Sequence, residues 1–456
     1  MQSHAKPERP ALRCLALAAG LLIAGTLWMA PAAAIEIQDV QSRSGIRAWL
    51  VEDHANPIIT LNFAFRGGAA LDPVGKGGLA NLAAATLDEG AGELDSQAFQ
   101  RKLEDLAVSI RFEAGRDNFT GSLRTLTANS KEAYDLLRLA LTQPRFDSKA
   151  VERIRRQILA GLRRSAENPR DIARRTLMRQ FFPDHPYGRP GDGTPETVPL
   201  IKRADLRVFV HQRLARNNLV VGIVGDISAG QTARMLETVF GALPEKAAPW
   251  TLDDVQAKPA NRTIVIDKPV PQSIIRFGHA GIKRDDPDFF AAYIMNYVLG
   301  GGGFESRLYE EIREKRGLAY SAWSYLAPMN SAGLVLGGAG TANERAGETV
   351  KVLRQVWRAM ADKGVTPSEL RDAKTYLTGS YSLRFTSSRR IASILVGIQL
   401  QRLGIDYIKK RNGLIAAVGH ADVNRVANKL LKPDAITLVV VGKPKNLPAQ
   451  SNTKDH

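Results

Sequence analysis

Arg313 and Tyr320 stand seven residues apart, on either side of Gly317, in the stretch GGGGFESRLYEEIREKRGLAYS that runs from Gly300 to Ser321. A guanidinium is a permanent cation with several N–H donors, and a phenol adds an O–H. Together they suit a peptide carbonyl, or the oxyanion formed when that carbonyl is attacked. Phe304, Leu308 and Ile312 are spaced four apart, which predicts one apolar helical stripe with Arg307, Glu310, Glu311, Glu314 and Lys315 on the other faces. Gly317 then stops the helix, so the chain can turn back and bring guanidinium and phenol to one locus. Gly300, Gly301, Gly302 and Gly303 carry no side chains and let a peptide backbone come close. The same spacing also fits a plain surface helix with a Gly-rich connector and a core tyrosine.

Other chemistries find less support. VGKGG at 74–78 has no Lys-Ser/Thr at the nucleotide-loop spacing, no G-x-S-x-G occurs, and GIVGDIS at 222–228 is not a dinucleotide fingerprint. Beyond the first 34 residues, no two histidines lie three to five apart, the spacing that turns two imidazoles toward one metal. The single cysteine, Cys14, lies within those first residues. There Lys6, Arg9 and Arg13 precede an apolar run from Leu15 to Met29 and an Ala32-Ala33-Ala34 site, the pattern of a secretory signal peptide cleaved before Ile35. The run is short for a spanning helix, so a periplasmic protein with no stable membrane insertion is expected. Without residues 1–34 the chain keeps 60 basic against 45 acidic residues, a net +15. That excess fits a nucleic-acid or anionic-surface binder, but the basic residues are interleaved with acids along helical stretches, as in RKLEDLAVSIRFEAGR. A solvated basic surface without nucleic acid is the expectation.

The elements that must position Arg313 and Tyr320 follow one plan used twice. IRAWLVEDHANPIITLNFAF at 46–65 and RTIVIDKPVPQSIIRFG at 262–278 each read as strand, turn, strand, a hairpin pattern. Each is followed by a helical segment, Leu79 to Leu87 and Phe289 to Leu299, then by long amphipathic stretches in which residues such as Ala133, Leu136, Leu137 and Ala140 mark a buried face. Each half closes on a late strand, NLVVGIVGDIS from Asn218 and AITLVVVGKPK from Ala435. Similarity at a period near half the chain argues for a duplicated α+β domain, the two copies facing each other across a cleft. The first domain spans 35–242, an Ala/Pro-rich linker 243–261, the second domain 262–446, and a polar tail 447–456.

With those repeats in place, LGGGGFESRLYEEIREKRGLAYS resembles the C-terminal-half signature of the M16 family of zinc peptidases, which includes pitrilysin, insulin-degrading enzyme and mitochondrial processing peptidase. The resemblance covers nearly the whole chain after residue 34. It implies that Arg313 and Tyr320 contact substrate, and that two tandem homologous domains form half of a clamshell. It also exposes a departure. Active members carry H-x-x-E-H on the first helix, with two zinc-binding His and a Glu as general base; the matching positions here are Asn81, Ala84 and Ala85. The family's third ligand, a Glu on a later helix, maps onto Leu159 or Gly161. The resemblance therefore implies a chain with no zinc of its own, which binds peptide and completes the site of an H-x-x-E-H-bearing, zinc-holding partner in a heterodimer. The alternative it offers is a non-proteolytic scaffold or peptide-binding subunit.

Overall fold

The computed structural model describes residues 35–258 and 261–447; the expected signal peptide, and the tail from 448 on, lie outside them. Eleven strands are found among these residues. In the first half they are β1 (Gln38–Gln41), β2 (Arg47–Glu52), β3 (Ile58–Arg66), β4 (Ser109–Ala114), β5 (Asn118–Leu126) and β6 (Leu219–Gly225). In the second they are β7 (Thr263–Asp267), β8 (Gln272–Ala280), β9 (Ala319–Pro328), β10 (Gly333–Ala342) and β11 (Thr437–Gly442).

The first sheet runs β1-β2-β6-β3-β5-β4 and the second β7-β11-β8-β10-β9. Apart from β1 the two orders are the same, and so are the directions: β2 and β7 pair in parallel with β6 and β11, and the remaining neighbours are antiparallel. Two copies of one α+β unit are therefore present, as the internal repeat predicts. The predicted hairpins are not. β2 and β3 are separated by β6, and β7 and β8 by β11. The reason lies in the late strands: every residue of β11 is buried, and β6 is buried from Val221 onward. A strand with no polar edge or face needs a neighbour on each side, so it is driven between the two early strands.

Each sheet packs one face against its own helices. Phe63, Phe65, Leu61 and Leu123 meet Leu82, Phe99, Leu137 and Phe240 in the first core, with Ala133, Leu136 and Ala140 among the buried residues. Ile275, Phe277 and Val335 meet Ile294, Leu308, Leu353 and Trp357 in the second. The opposite face is covered by the other half. The helix Ser388–Leu400 lies on β6 and β3, and the helix Pro169–Phe181 on β11 and β8. A third cluster joins Ala173, Leu177, Met178 and Phe181 to Ile264, Ile274, Val439 and Val441. Close approach is built in: a Cβ on Gly222 would lie 2.8 Å from the Ala392 carbonyl oxygen and 2.9 Å from the Leu395 Cβ. Polar contacts bind the same seam, with Arg66 donating to the Leu400 and Gln399 carbonyls at 2.7 Å each and Gln399 Nε2 to the Val221 carbonyl at 2.8 Å. Residues 244–258 form no helix or strand, yet they are tied down at Val255, whose N–H donates to the Ser331 carbonyl at 2.8 Å.

Candidate functional site

Two irregular turns build the site. The helix Phe289–Asn296 continues into a wider π-type turn over Tyr297–Gly301, closed by the Gly302 N–H on the Tyr297 carbonyl at 2.8 Å. A second wide turn covers Glu310–Glu314, where the Lys315 N–H reaches the Glu310 carbonyl five residues back at 2.9 Å. Such turns insert one residue into a helix and re-aim the side chains around it. Leu308 and Ile312 are buried, as the spacing predicts. Phe304 is not: it is 76% exposed, because it sits in a short 3-10 turn over Gly303–Glu305 and the α-helix starts only at Arg307, after an extended Ser306. The predicted three-residue stripe is therefore two residues long.

Past the second turn, Gly317 adopts a left-handed φ of +58° and the chain reverses. The Arg345 guanidinium donates to the Gly317 carbonyl at 2.5 Å and the Thr341 hydroxyl to the Leu318 carbonyl at 2.6 Å. β9 then starts at Ala319 on the sheet edge. Its pairing with β10 skips Tyr320, since Gly340 faces Ser321 and Thr341 faces Ala319. Tyr320 is thus the extra residue of a β-bulge, a device that redirects one side chain, and it is 80% exposed.

The reversal brings Arg313 and Tyr320 together. The guanidinium carbon lies 4.8 Å from the Tyr320 ring centre, 4.8 Å from that of Tyr309 and 6.0 Å from that of Phe304. Three π-faces hold the cation without using its N–H groups. The nearest carboxylate, Glu314, is 3.9 Å from Nε, and among the described residues neither the guanidinium N–H groups nor the Tyr320 hydroxyl has a hydrogen-bond partner. A fixed cation and a phenol with free donors can take up a carbonyl oxygen as it gains charge. Arg307, by contrast, is committed to structure. It makes two 2.7 Å bonds to Glu369, whose carboxylate also accepts from the Thr366 N–H at 2.7 Å.

The four glycines divide. A Cβ on Gly300 would lie 2.5 Å from Ser324 Oγ and 2.6 Å from its backbone N, so this glycine admits β9. Gly301 and Gly302 are close to Asn296 and Tyr297, whereas Gly303, at φ +61°, has nothing within 4 Å of where a Cβ would be. Behind them a buried pair locks loop to strand: the Ser324 hydroxyl donates to Asn296 Oδ1 at 2.8 Å and Asn296 Nδ2 to the Ser324 carbonyl at 3.2 Å. Sequence reading missed Asn296, Ser324 and the two aromatic walls. Only Tyr309, four residues before Arg313 on one helical face, gave a local signal.

In the first half, the positions that the resemblance matches to metal ligands carry none. Asn81 and Ala84 lie on the helix Leu79–Ala84, with Ala85 as its C-terminal cap. That helix packs against Ser148–Glu167, which carries Leu159 and Gly161. Alanine, leucine and glycine side chains offer no donor, and an amide is a poor zinc ligand. The donor set at these positions therefore does not fit zinc, and among the described residues no group of three His, Cys, Asp or Glu is placed to hold a metal elsewhere. The nearby Asp72 caps the helix instead, accepting from the Gly78 and Ala80 N–H groups at 2.8 and 3.1 Å, with burial pushing its pKa up to about 6.

A duplicated α+β chain with this segment in its second half is a member of the M16 family: residues 47–194 match the family model described as insulinase, peptidase family M16, and residues 201–377 the one described as the peptidase M16 inactive domain. A Helicobacter pylori protein named as the non-peptidase homolog YmxG is 31% identical over 365 residues, 80% of this chain and 84% of that one. A Streptomyces coelicolor protein named as an uncharacterized zinc protease is 28% identical over 317 residues, 68% of each. The crystal structure of a peptidase M16 inactive domain from Pseudomonas fluorescens superposes with a TM-score of 0.83 at 31% identity, covering 91% of this chain and all of that one. A chain of complex III from Candida albicans shares the fold at a TM-score of 0.75 and 14% identity.

Proposed function

We propose that this chain is the non-metal-binding subunit of a periplasmic M16-type metallopeptidase. In this reading it holds a peptide and completes the active site of a partner that carries H-x-x-E-H and the zinc, the two subunits closing as a clamshell. The observation that carries the reading is the pairing of Arg313 with Tyr320, both with free donors, beside a first half whose ligand positions are Asn81, Ala84 and Ala85. Attack on the peptide belongs to the partner. The part of this chain is to donate from Arg313 and Tyr320 to the carbonyl oxygen as it becomes an oxyanion, when a fixed donor counts most.

The test is reconstitution with the zinc-bearing homologue recovered by co-purification from the native periplasm. Tyr320→Phe removes one hydroxyl and keeps the ring that walls Arg313, and Arg313→Lys keeps charge but loses the planar fork. Both variants should assemble normally and cleave a fluorogenic peptide slowly in single turnover. Wild-type cleavage rates with either variant would leave a scaffold in place of a catalytic subunit.

A further inference from the structure

A row of three residues crosses the second sheet: Arg276 on β8, Gly338 on β10 and Trp323 on β9 are cross-strand neighbours. A Cβ on Gly338 would lie 2.3 Å from Arg276 Nη1 and 2.8 Å from Trp323 Cζ2. The missing side chain is therefore what lets the guanidinium reach across and rest 4.7 Å from the Trp323 ring centre. Two residues along β9, on the same face, Tyr325 packs on Trp323 at 5.5 Å and is 45% exposed. The helix Pro169–Phe181 lies on the neighbouring strands of that face and carries Arg170 and Arg174 at exposed positions, near enough for their charges to act on Arg276. Burial, with the two helix arginines adding repulsion, depresses the Arg276 pKa from its ordinary value. Among the described residues Arg174 has one carboxylate partner, Asp171 at 3.4 Å, and no carboxylate lies within ion-pair distance of Arg170 or Arg276.

Three crowded cations with one counter-charge, set on an aromatic floor, are complementary to negative charge carried on an otherwise apolar segment. We infer that this shelf selects acidic peptide segments, which rests on the peptide-binding role proposed above and adds the substrate's charge. The shelf and the Arg313–Tyr320 pair lie along one strand. At about 3.3 Å per residue, Tyr325 is roughly 16 Å from Tyr320. An extended peptide whose carbonyl reaches Tyr320 therefore presents to the shelf a residue about five positions away, and an Asp or Glu there meets Arg174 and Arg276.

The test uses the mature chain and two labelled peptides about fifteen residues long, identical except that one carries an Asp-Glu cluster where the other carries Lys. Anisotropy should show the acidic peptide binding at least tenfold tighter, with the margin shrinking as salt is raised. Arg170→Glu with Arg174→Glu, both at exposed positions, should erase the preference, and Arg276→Gln should weaken it. Binding should also change the tryptophan emission of the wild type, and that change should vanish in Trp323→Phe. Equal binding of the two peptides, or an acid preference untouched by the arginine variants, overturns the shelf. So does equally tight binding of a single-stranded oligonucleotide of matched charge. Tyr320→Phe should leave peptide affinity almost unchanged, so the shelf can fail while partner-dependent turnover stands, and the reverse.

Discussion

The two halves share a strand order and differ where the second helix feeds the edge strand. In the first half the helix Ser96–Asp105 is followed by Ala107, left-handed at φ +51°, and the Val108 N–H closes on the Leu103 carbonyl five residues back. In the second the same reversal is made at Gly317, but the Leu318 N–H closes on the Ile312 carbonyl six residues back. β4 pairs with β5 without interruption, whereas β9 carries the bulge at Tyr320. The second half thus has one extra residue in its helix and one in its strand. Arg313 lies beside the first and Tyr320 is the second. The first half is the regular version, and its irregular copy aims a cation and a phenol at each other.

The largest expected difference between the halves lies at the bulge. In the reconstituted pair Tyr320→Phe should lower kcat by roughly 10²- to 10³-fold with little effect on peptide affinity. Asn81→Ala, in the first half, should leave turnover at the wild-type level.

The histidines should separate the halves by pH. His279 in β8 is buried, donates from Nδ1 to the Ala280 carbonyl at 2.7 Å and accepts from Trp357 Nε1 at 3.1 Å, and burial pushes its pKa down to about 4. The unfolded chain binds that proton near pH 6.5, so the contribution is complete above 6.5 and is lost as pH falls toward 4. The loss should reach about 3 kcal/mol, seen as a fall in the urea midpoint that His279→Gln flattens. The exposed His54 of the first half shifts the other way, raised by hydrogen bonds to Asp226 and Glu52. Its stabilisation is present at low pH and fades as pH rises, and His54→Ala should leave the acid limb in place.

The glycines give smaller effects. Gly300→Ala should cost about 1–3 kcal/mol from overpacking against Ser324, and Gly303→Ala about 1–2 kcal/mol from its left-handed backbone alone; both are read as shifts in denaturant midpoint. The smallest effect is expected from Asn81→His, Ala84→Glu and Ala85→His combined. With Leu159 and Gly161 unable to complete a three-ligand site, metal analysis of the chelator-treated and zinc-reloaded protein should find less than one zinc per chain. Peptide hydrolysis by that variant alone should stay at background.

How much of this was legible in the sequence depends on how local the cause is. The apolar runs of β3, β8, β6 and β11, the helix face at Ala133 to Ala140 and the stop at Gly317 are short-range patterns, and each appears where the residues put it. The pairing of β2 with β6 rather than β3 is decided between residues more than 150 apart, where the burial of a late strand overrides a nearby turn. At the site, the order Arg313, Gly317, Tyr320 was readable as a reversal. The wide turn and the bulge were not, because both come from how a strand and a helix with surplus residues settle against β10. Phe304 falls outside the buried stripe for the same reason, since spacing counts residues and cannot see that the α-helix starts only at Arg307.

The crossed helices have a consequence for how the chain reaches this state. Neither sheet can be covered until Pro169–Phe181 and Ser388–Leu400 have each been exchanged, so the molecule is in effect a domain-swapped dimer whose two copies are joined by a peptide. The first half, emerging alone during synthesis, would have β6 and β3 bare on one face, and contacts spanning more than 160 residues must form before either half is complete. Folding should therefore be slow and late. Cutting the chain between residues 247 and 258 should yield fragments that complement each other in trans but aggregate apart.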